Sequence, residues 1–235
     1  MKFNPDYILN ISVVLGALLL TRIPYIGKFF RLIDTLIHES AHALMALFFS
    51  GSVERIDLFS STEGAAVTKS KGKFAAIMIS LAGYIGSSAV AFVLFYLLYH
   101  SWYNAVMYFF TTVCVINLLL WVRNGYGIFF LLLFGTMCGA VVYFNIPLLT
   151  RISSLLFTSL LWTDALVSSG IIFYLSMVQS KNAGDAHSLK QSTGIPAFFW
   201  GLLFLSQALG FSYLTLAMFF ELPLPHFINV IRDIV

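Results

Sequence analysis

Long apolar blocks broken by short polar stretches set the pattern of this chain. The blocks cover about residues 7–20, 32–49, 74–99, 105–122, 128–144, 153–177 and 198–220. Most are long enough to cross a bilayer as helices, and none shows the sustained polar–apolar alternation of membrane β-strands. The pattern predicts an all-α polytopic membrane protein with about seven transmembrane helices. The periodicity changes once, after the second block. There Val53-Glu54-Arg55-Ile56-Asp57-Leu58-Phe59 and Gly64-Ala65-Ala66-Val67-Thr68 flank Ser60-Ser61-Thr62-Glu63. Two short strands around a polar turn predict a small β-hairpin, within an insertion at about 52–72.

The third block contains Gly83, Ser87 and Ala91 at a spacing of four, which lets two membrane helices approach closely. Packing against the second block is its expected use. Ser180 to Pro196 is the most polar stretch after the hairpin and reads as a loop before the last helix. The tail 223–235, with Pro223 and Pro225, is expected at the membrane interface. The opening Met1-Lys2-Phe3-Asn4-Pro5-Asp6 leads into the first block without an A-x-A-like cleavage site, so that block reads as a retained span.

Composition agrees with one membrane-embedded domain over residues 1–235. The chain is 60% hydrophobic and only 10% charged, which a soluble core of this size cannot accommodate. The net charge of +3 is spread over short connections and forms no cluster that would grip nucleic acid, so anionic lipid headgroups are its expected counterpart. Cys114 and Cys138 fall in different blocks without a C-x-x-C pattern and are expected to pack as small hydrophobes.

Against this background the polar residues inside the second block carry the chemistry. His38-Glu39-Ser40-Ala41-His42 places two imidazoles four positions apart, on one helical face, where both rings can reach one metal ion. Glu39 beside the first ligand can take a proton from a water on that metal, the division of labour in HExxH zinc hydrolases. Ionisable groups at membrane depth are costly enough to be read as functional. Asp34, one turn before His38, can orient that ring or cap the start of the helix.

A catalytic zinc needs three protein ligands and an open position. Asp185, Asp164, Asp34, His187 and His100 are the candidates for the third. Asp34 shares the histidines' helix and better suits a supporting role. His100 ends the third block, across the membrane from the hairpin.

His38-Glu39-Ser40-Ala41-His42-Ala43, the hairpin, Leu81-Ala82-Gly83-Tyr84-Ile85-Gly86, and Gly184-Asp185-Ala186 ahead of Thr193-Gly194-Ile195-Pro196 together resemble the site-2 protease family of intramembrane zinc metallopeptidases. The likeness spans about residues 30–205 and is nearest to the compact branch without a PDZ or CBS domain. It implies one Zn2+ held by His38, His42 and a late aspartate, which falls here on Asp185. Better-known members carry an Asn-Pro and Asp-Gly signature at that place, where this chain has Gly-Asp-Ala. His187, two residues on, is either an assisting group or a solvated loop histidine.

The implied activity is zinc-dependent endoproteolysis of single-span or membrane-anchored protein substrates within or near the bilayer. Glu39 would be the general base. Asn117, the only amide well inside the fourth block, would help stabilise the oxyanion, with an interhelical hydrogen bond as its other use. A substrate helix must be unwound, and an edge strand of the hairpin, about 53–59 or 65–68, could pair with the extended chain. A catalytically silent scaffold keeping the same fold is the alternative. With the hairpin inside, Lys2, Arg55, Lys69, Lys71, Lys73, Arg123, Lys181 and Lys190, eight of the 13 lysines and arginines, are cytoplasmic. That favours a multi-pass protein of the cell membrane with its site opening toward the cytoplasm.

Overall fold

The computed structural model describes residues 5–219. The expectation for the tail 223–235 lies outside them. The apolar blocks form helices α1 (Pro5–Leu20), α2 (Ile26–Phe48), α3 (Lys73–Tyr99), α4 (Tyr103–Leu120), α5 (Gly125–Phe144), α6 (Pro147–Val178) and α8 (Ala197–Phe219). The hairpin forms as β1 (Ser52–Leu58) and β2 (Gly64–Lys69). The polar stretch after α6 is not the expected loop. It folds into a short 3-10 turn (Ser180–Asn182) and helix α7 (Gly184–Thr193).

Five helices, α3, α4, α5, α6 and α8, are long and apolar enough to cross a membrane. The expected count of seven is therefore not reached by this measure, for two physical reasons. α1 has 16 residues, about 24 Å at 1.5 Å per residue, short of a hydrocarbon core of about 30 Å. α2 is long enough but carries Lys28, Arg31, Asp34 and Glu39. It starts earlier than expected, so Lys28 and Arg31 belong to its first turns rather than to a linker. α6, at 32 residues, also outruns its apolar block. Pro147 opens it at a position where the missing N–H leaves no intrahelical bond unmade. Asn145, left-handed with φ 46°, closes α5 just before.

α2 packs against α3 and α6, and the hairpin lies on α2. One contiguous core runs through this arrangement, with Leu32, Ile33 and Leu36 of α2, Phe95 of α3, Phe110 of α4, Phe130 and Phe134 of α5 and Leu160 of α6 fully buried. A smaller cluster, Ile172, Ala183, Ala186, Leu189, Ala197 and Phe204, fixes α7 between α6 and α8.

An isolated two-stranded hairpin is marginal in water, and this one is anchored on three sides. Ile56 and Leu58 point inward and are fully buried. The turn between α4 and α5 covers the outer edge of β1. There the Ile56 N–H donates to the Trp121 carbonyl (2.9 Å). Asn124 takes both main-chain groups of Leu58, at 3.0 and 2.5 Å. At the hairpin tip, the Thr35 hydroxyl of α2 donates to the Thr62 carbonyl (2.8 Å). On the solvent side Lys69 pairs with Glu54 at 2.5 Å and, by that hydrogen bond and its charge, holds the Glu54 carboxyl below the ordinary carboxylate range.

The register fixes what β2 offers on its far side. Ile56 pairs with Ala66. Because both main-chain groups of Ile56 turn toward residues 121–123, this pair exchanges no ladder bonds, and the N–H and C=O of Ala66 also point outward. Gly64 and Thr68, two residues to either side, share that direction.

Candidate metal centre

His38 and His42 occupy one face of α2, one turn apart, and their ring centroids are 4.7 Å from each other. Their Nε2 atoms approach to 3.0 Å. Asp185, in the first turn of α7, brings its Oδ2 to 3.2 Å from both nitrogens. Gly184 adopts φ +39°, a left-handed conformation that lets the chain turn sharply into α7 and aims Asp185 at α2. These are the three ligand groups among the described residues that converge closely enough to hold a metal ion.

The donor set fits a tetrahedral cation. Ligands at zinc distances of about 2.0–2.1 Å in tetrahedral directions lie about 3.3 Å from one another. The observed triangle has edges of 3.0, 3.2 and 3.2 Å. Its chemistry agrees. The Ile79 carbonyl of α3 can only accept, so His42 Nδ1 carries the proton it donates there (2.7 Å). With Nδ1 so engaged, His42 turns its Nε2 to a carboxylate oxygen and a second imidazole. Two imidazole nitrogens and a carboxylate oxygen gathered at this distance are the donor types a zinc ion takes. The carbonyl also sets the His42 tautomer and ring angle, as partners behind metal ligands commonly do.

α3 can come this close because of Gly83. A Cβ there would overlap His38 Nε2 and His42 Nε2, so the run of small residues serves the packing of α3 on α2 directly over the ligands. Gly86 meets the Ala41 side chain in the same way.

Glu39 faces the hairpin. Its Oε2 accepts a hydrogen bond from the outward N–H of Ala66 at 2.7 Å, and a Cβ on Gly64 would collide with its side chain. Glu39 is only 6% exposed. It lines, with the triad, a cavity of about 610 Å3 whose opposite wall is β2.

The other sequence candidates lie elsewhere. Asn117 is 1% exposed and outside the cavity wall. Its amide donates to Ser40 Oγ (2.9 Å) and to the Val113 carbonyl (3.0 Å), tying α4 to α2. This is the interhelical use, and the amide is not directed at a reacting group. Asp164 pairs with Arg31 of α2 at 3.4 Å rather than joining the triad. Asp34 lines the cavity and accepts from Ser168 Oγ of α6 (2.9 Å). The structure gives it no hydrogen bond to His38 among the described residues. His187 accepts from the Gln191 amide (3.0 Å) on the exposed side of α7. His100 packs among Tyr96, Tyr99 and Trp102 beyond the far end of α3.

Three contributors escape a reading of the sequence. The Ile79 carbonyl and the Ala66 N–H are main-chain groups, which leave no mark in residue types. Tyr84, whose ring packs on His38, sits where only the α3–α2 contact gives it meaning.

Neither a curated protein nor a solved structure matches the chain at a significant level. A family model described as Peptidase M50B-like matches residues 11–215. With an HExxH helix, a late aspartate beside both histidines and a match over most of its length, the chain belongs to this family, that of the site-2 proteases.

Proposed function

We propose that this protein is an intramembrane zinc metalloendopeptidase that cleaves single-span or membrane-anchored proteins within or near the bilayer. The observation that carries the reading is the meeting of His38, His42 and Asp185 within 3.2 Å, in the same cavity as Glu39. His38, His42 and Asp185 are the residues to hold one zinc ion. Bound there, zinc would supply Lewis acidity, easing ionisation of a water and polarising the scissile carbonyl.

The chain's own groups do the rest. Glu39 accepts the proton of the attacking water and returns it to the leaving amine. Its Oε2 is held by Ala66, which steadies the carboxylate and leaves Oε1 for the transfer. The Ile79 carbonyl fixes the His42 imidazole, and the Tyr84 ring packs on that of His38. The substrate must expose its backbone, and in lipid each freed N–H and C=O needs a new partner. The outer edge of β2 offers the main-chain groups of Gly64 and Thr68 and the Ala66 carbonyl along the cavity wall, so an unwound segment can add there as a strand. β1 is excluded from this role because residues 121–124 already occupy its outer edge. The site opens toward the cytoplasm in this reading, with the hairpin on the side of the larger share of basic residues.

The test is zinc content and cleavage of a panel of single-span proteins, for wild type and Glu39→Gln. Expected are about one zinc per chain in both and cleavage by wild type alone. Zinc in both with no cleavage by either would favour a silent scaffold.

A further inference from the structure

The cavity wall holds a phenol that the steps above leave unused. Tyr84 follows Gly83 on α3 and lines the cavity together with Glu39 and Asp185. Its ring meets the His38 imidazole edge-on, with centroids 4.6 Å apart at 83°. The other side rests on Phe204 of α8, also at 4.6 Å, and Phe204 is fully buried. The Tyr84 carbonyl accepts from Ser88 Oγ (3.0 Å) and Gln207 Nε2 (3.3 Å). Ring and backbone are thus fixed from both helices, while the hydroxyl has no hydrogen-bond partner among the described residues.

Peptide hydrolysis builds negative charge on the carbonyl oxygen, and that oxygen needs donors held in place beforehand. The charged groups of this cavity do not supply them. Its described wall contains the carboxylates of Asp34, Glu39, Glu63 and Asp185 and no lysine or arginine. The hydroxyls of Thr35, Ser168 and Ser188 are engaged with Thr62, Asp34 and Gly184, and those of Thr62, Thr68 and Ser80 line the wall without the packing on a ligand imidazole that Tyr84 has. Asn117, the amide the sequence nominates, is committed to Ser40 and Val113. A neutral phenol has one O–H to give, and this one is packed against a ligand imidazole.

We propose that the Tyr84 hydroxyl donates a hydrogen bond to the carbonyl oxygen of the scissile peptide as that oxygen becomes an oxyanion. The proposal rests on the peptidase reading and makes Tyr84 a catalytic residue. Water oxygen bonds to the carbonyl carbon, its proton passes to Glu39, and the carbonyl π pair moves onto the oxygen facing Tyr84. On collapse the C–N bond breaks and the proton on Glu39 goes to the departing nitrogen. Tyr84 keeps its own proton throughout.

Tyr84→Phe keeps the ring and removes the donor. In the full-length protein, zinc content should stay at that of wild type and KM for a cleaved single-span substrate should not change. The turnover number kcat should fall by about 100- to 1000-fold, the usual effect of losing one oxyanion donor. A second readout needs no turnover. A phosphinic peptide built on the cleaved sequence, carrying a tetrahedral oxyanion, should bind Tyr84→Phe more weakly by a similar factor. Intact substrate should bind Glu39→Gln and Glu39→Gln/Tyr84→Phe equally well. Cleavage by Tyr84→Phe within about twofold of wild type, or an unchanged phosphinic-peptide affinity, overturns the proposal alone. A wild type that neither cuts nor binds the phosphinic peptide overturns the peptidase reading and this proposal with it.

Discussion

α2 carries two polar clusters about two turns apart, and their acids are compensated in different ways. Toward its start, Arg31 reaches Asp164 of α6 at 3.4 Å, so a carboxylate meets a cation that the chain itself supplies. Two turns further on, Asp185 meets two imidazoles at 3.2 Å, one of which donates from Nδ1 to Ile79. The first cluster is electrically matched from within. The second offers Asp185 no lysine or arginine, only two imidazoles, the donor types a metal ion takes. An acid at membrane depth is therefore no sufficient mark of a metal site. What marks one is whether the groups facing it bring charge or electron pairs.

The largest effect that would sharpen this contrast is on metal content. Asp185→Asn or His42→Ala should reduce bound zinc from about one ion per chain to almost none, while Asp164→Asn should leave it unchanged, as read by elemental analysis after dialysis. Loss of zinc from Asp164→Asn would erase the distinction between the clusters. The next effect is on stability. Removing one partner of a buried pair costs roughly 3–5 kcal/mol. Because the Arg31 side chain keeps 35% exposure, Arg31→Met should cost less, about 2 kcal/mol, measured by unfolding in detergent. Zinc content should not change, and Arg31→Met/Asp164→Leu should recover most of the loss. The smallest effect is expected at Asn117. Asn117→Ala should cost about 1 kcal/mol, the worth of an interhelical hydrogen bond, with cleavage unaltered. A hundredfold drop in cleavage would return Asn117 to the oxyanion role.

Much of this was legible in residue order, and the remainder was hidden for identifiable reasons. The histidines share a face because positions four apart always do on a helix, and the hairpin declared itself by its change of period. Asp185 was found by its resemblance to a family pattern, whereas its setting was misread. The polarity of 184–193 concealed a helix whose inward side consists of Ala186 and Leu189, three apart and both fully buried. Asn117 was singled out by type, but its direction depends on how α4 is rotated against Ser40, which no local pattern records. Five helices rather than seven reach the length and apolarity of a span, because α1 is short and α2 carries charges that its contacts with α3, α6 and the hairpin can accommodate.

The cover that residues 121–124 place over β1 has a consequence for how these molecules meet one another. Two hairpins with both margins bare could dock side by side and extend into a shared ribbon, the usual hazard of unpaired strands. Here one margin is sealed by Trp121 and Asn124. The other looks inward over Glu39, which already takes the Ala66 N–H. A ribbon therefore cannot grow through β1, and the one margin left to β2 faces the cavity.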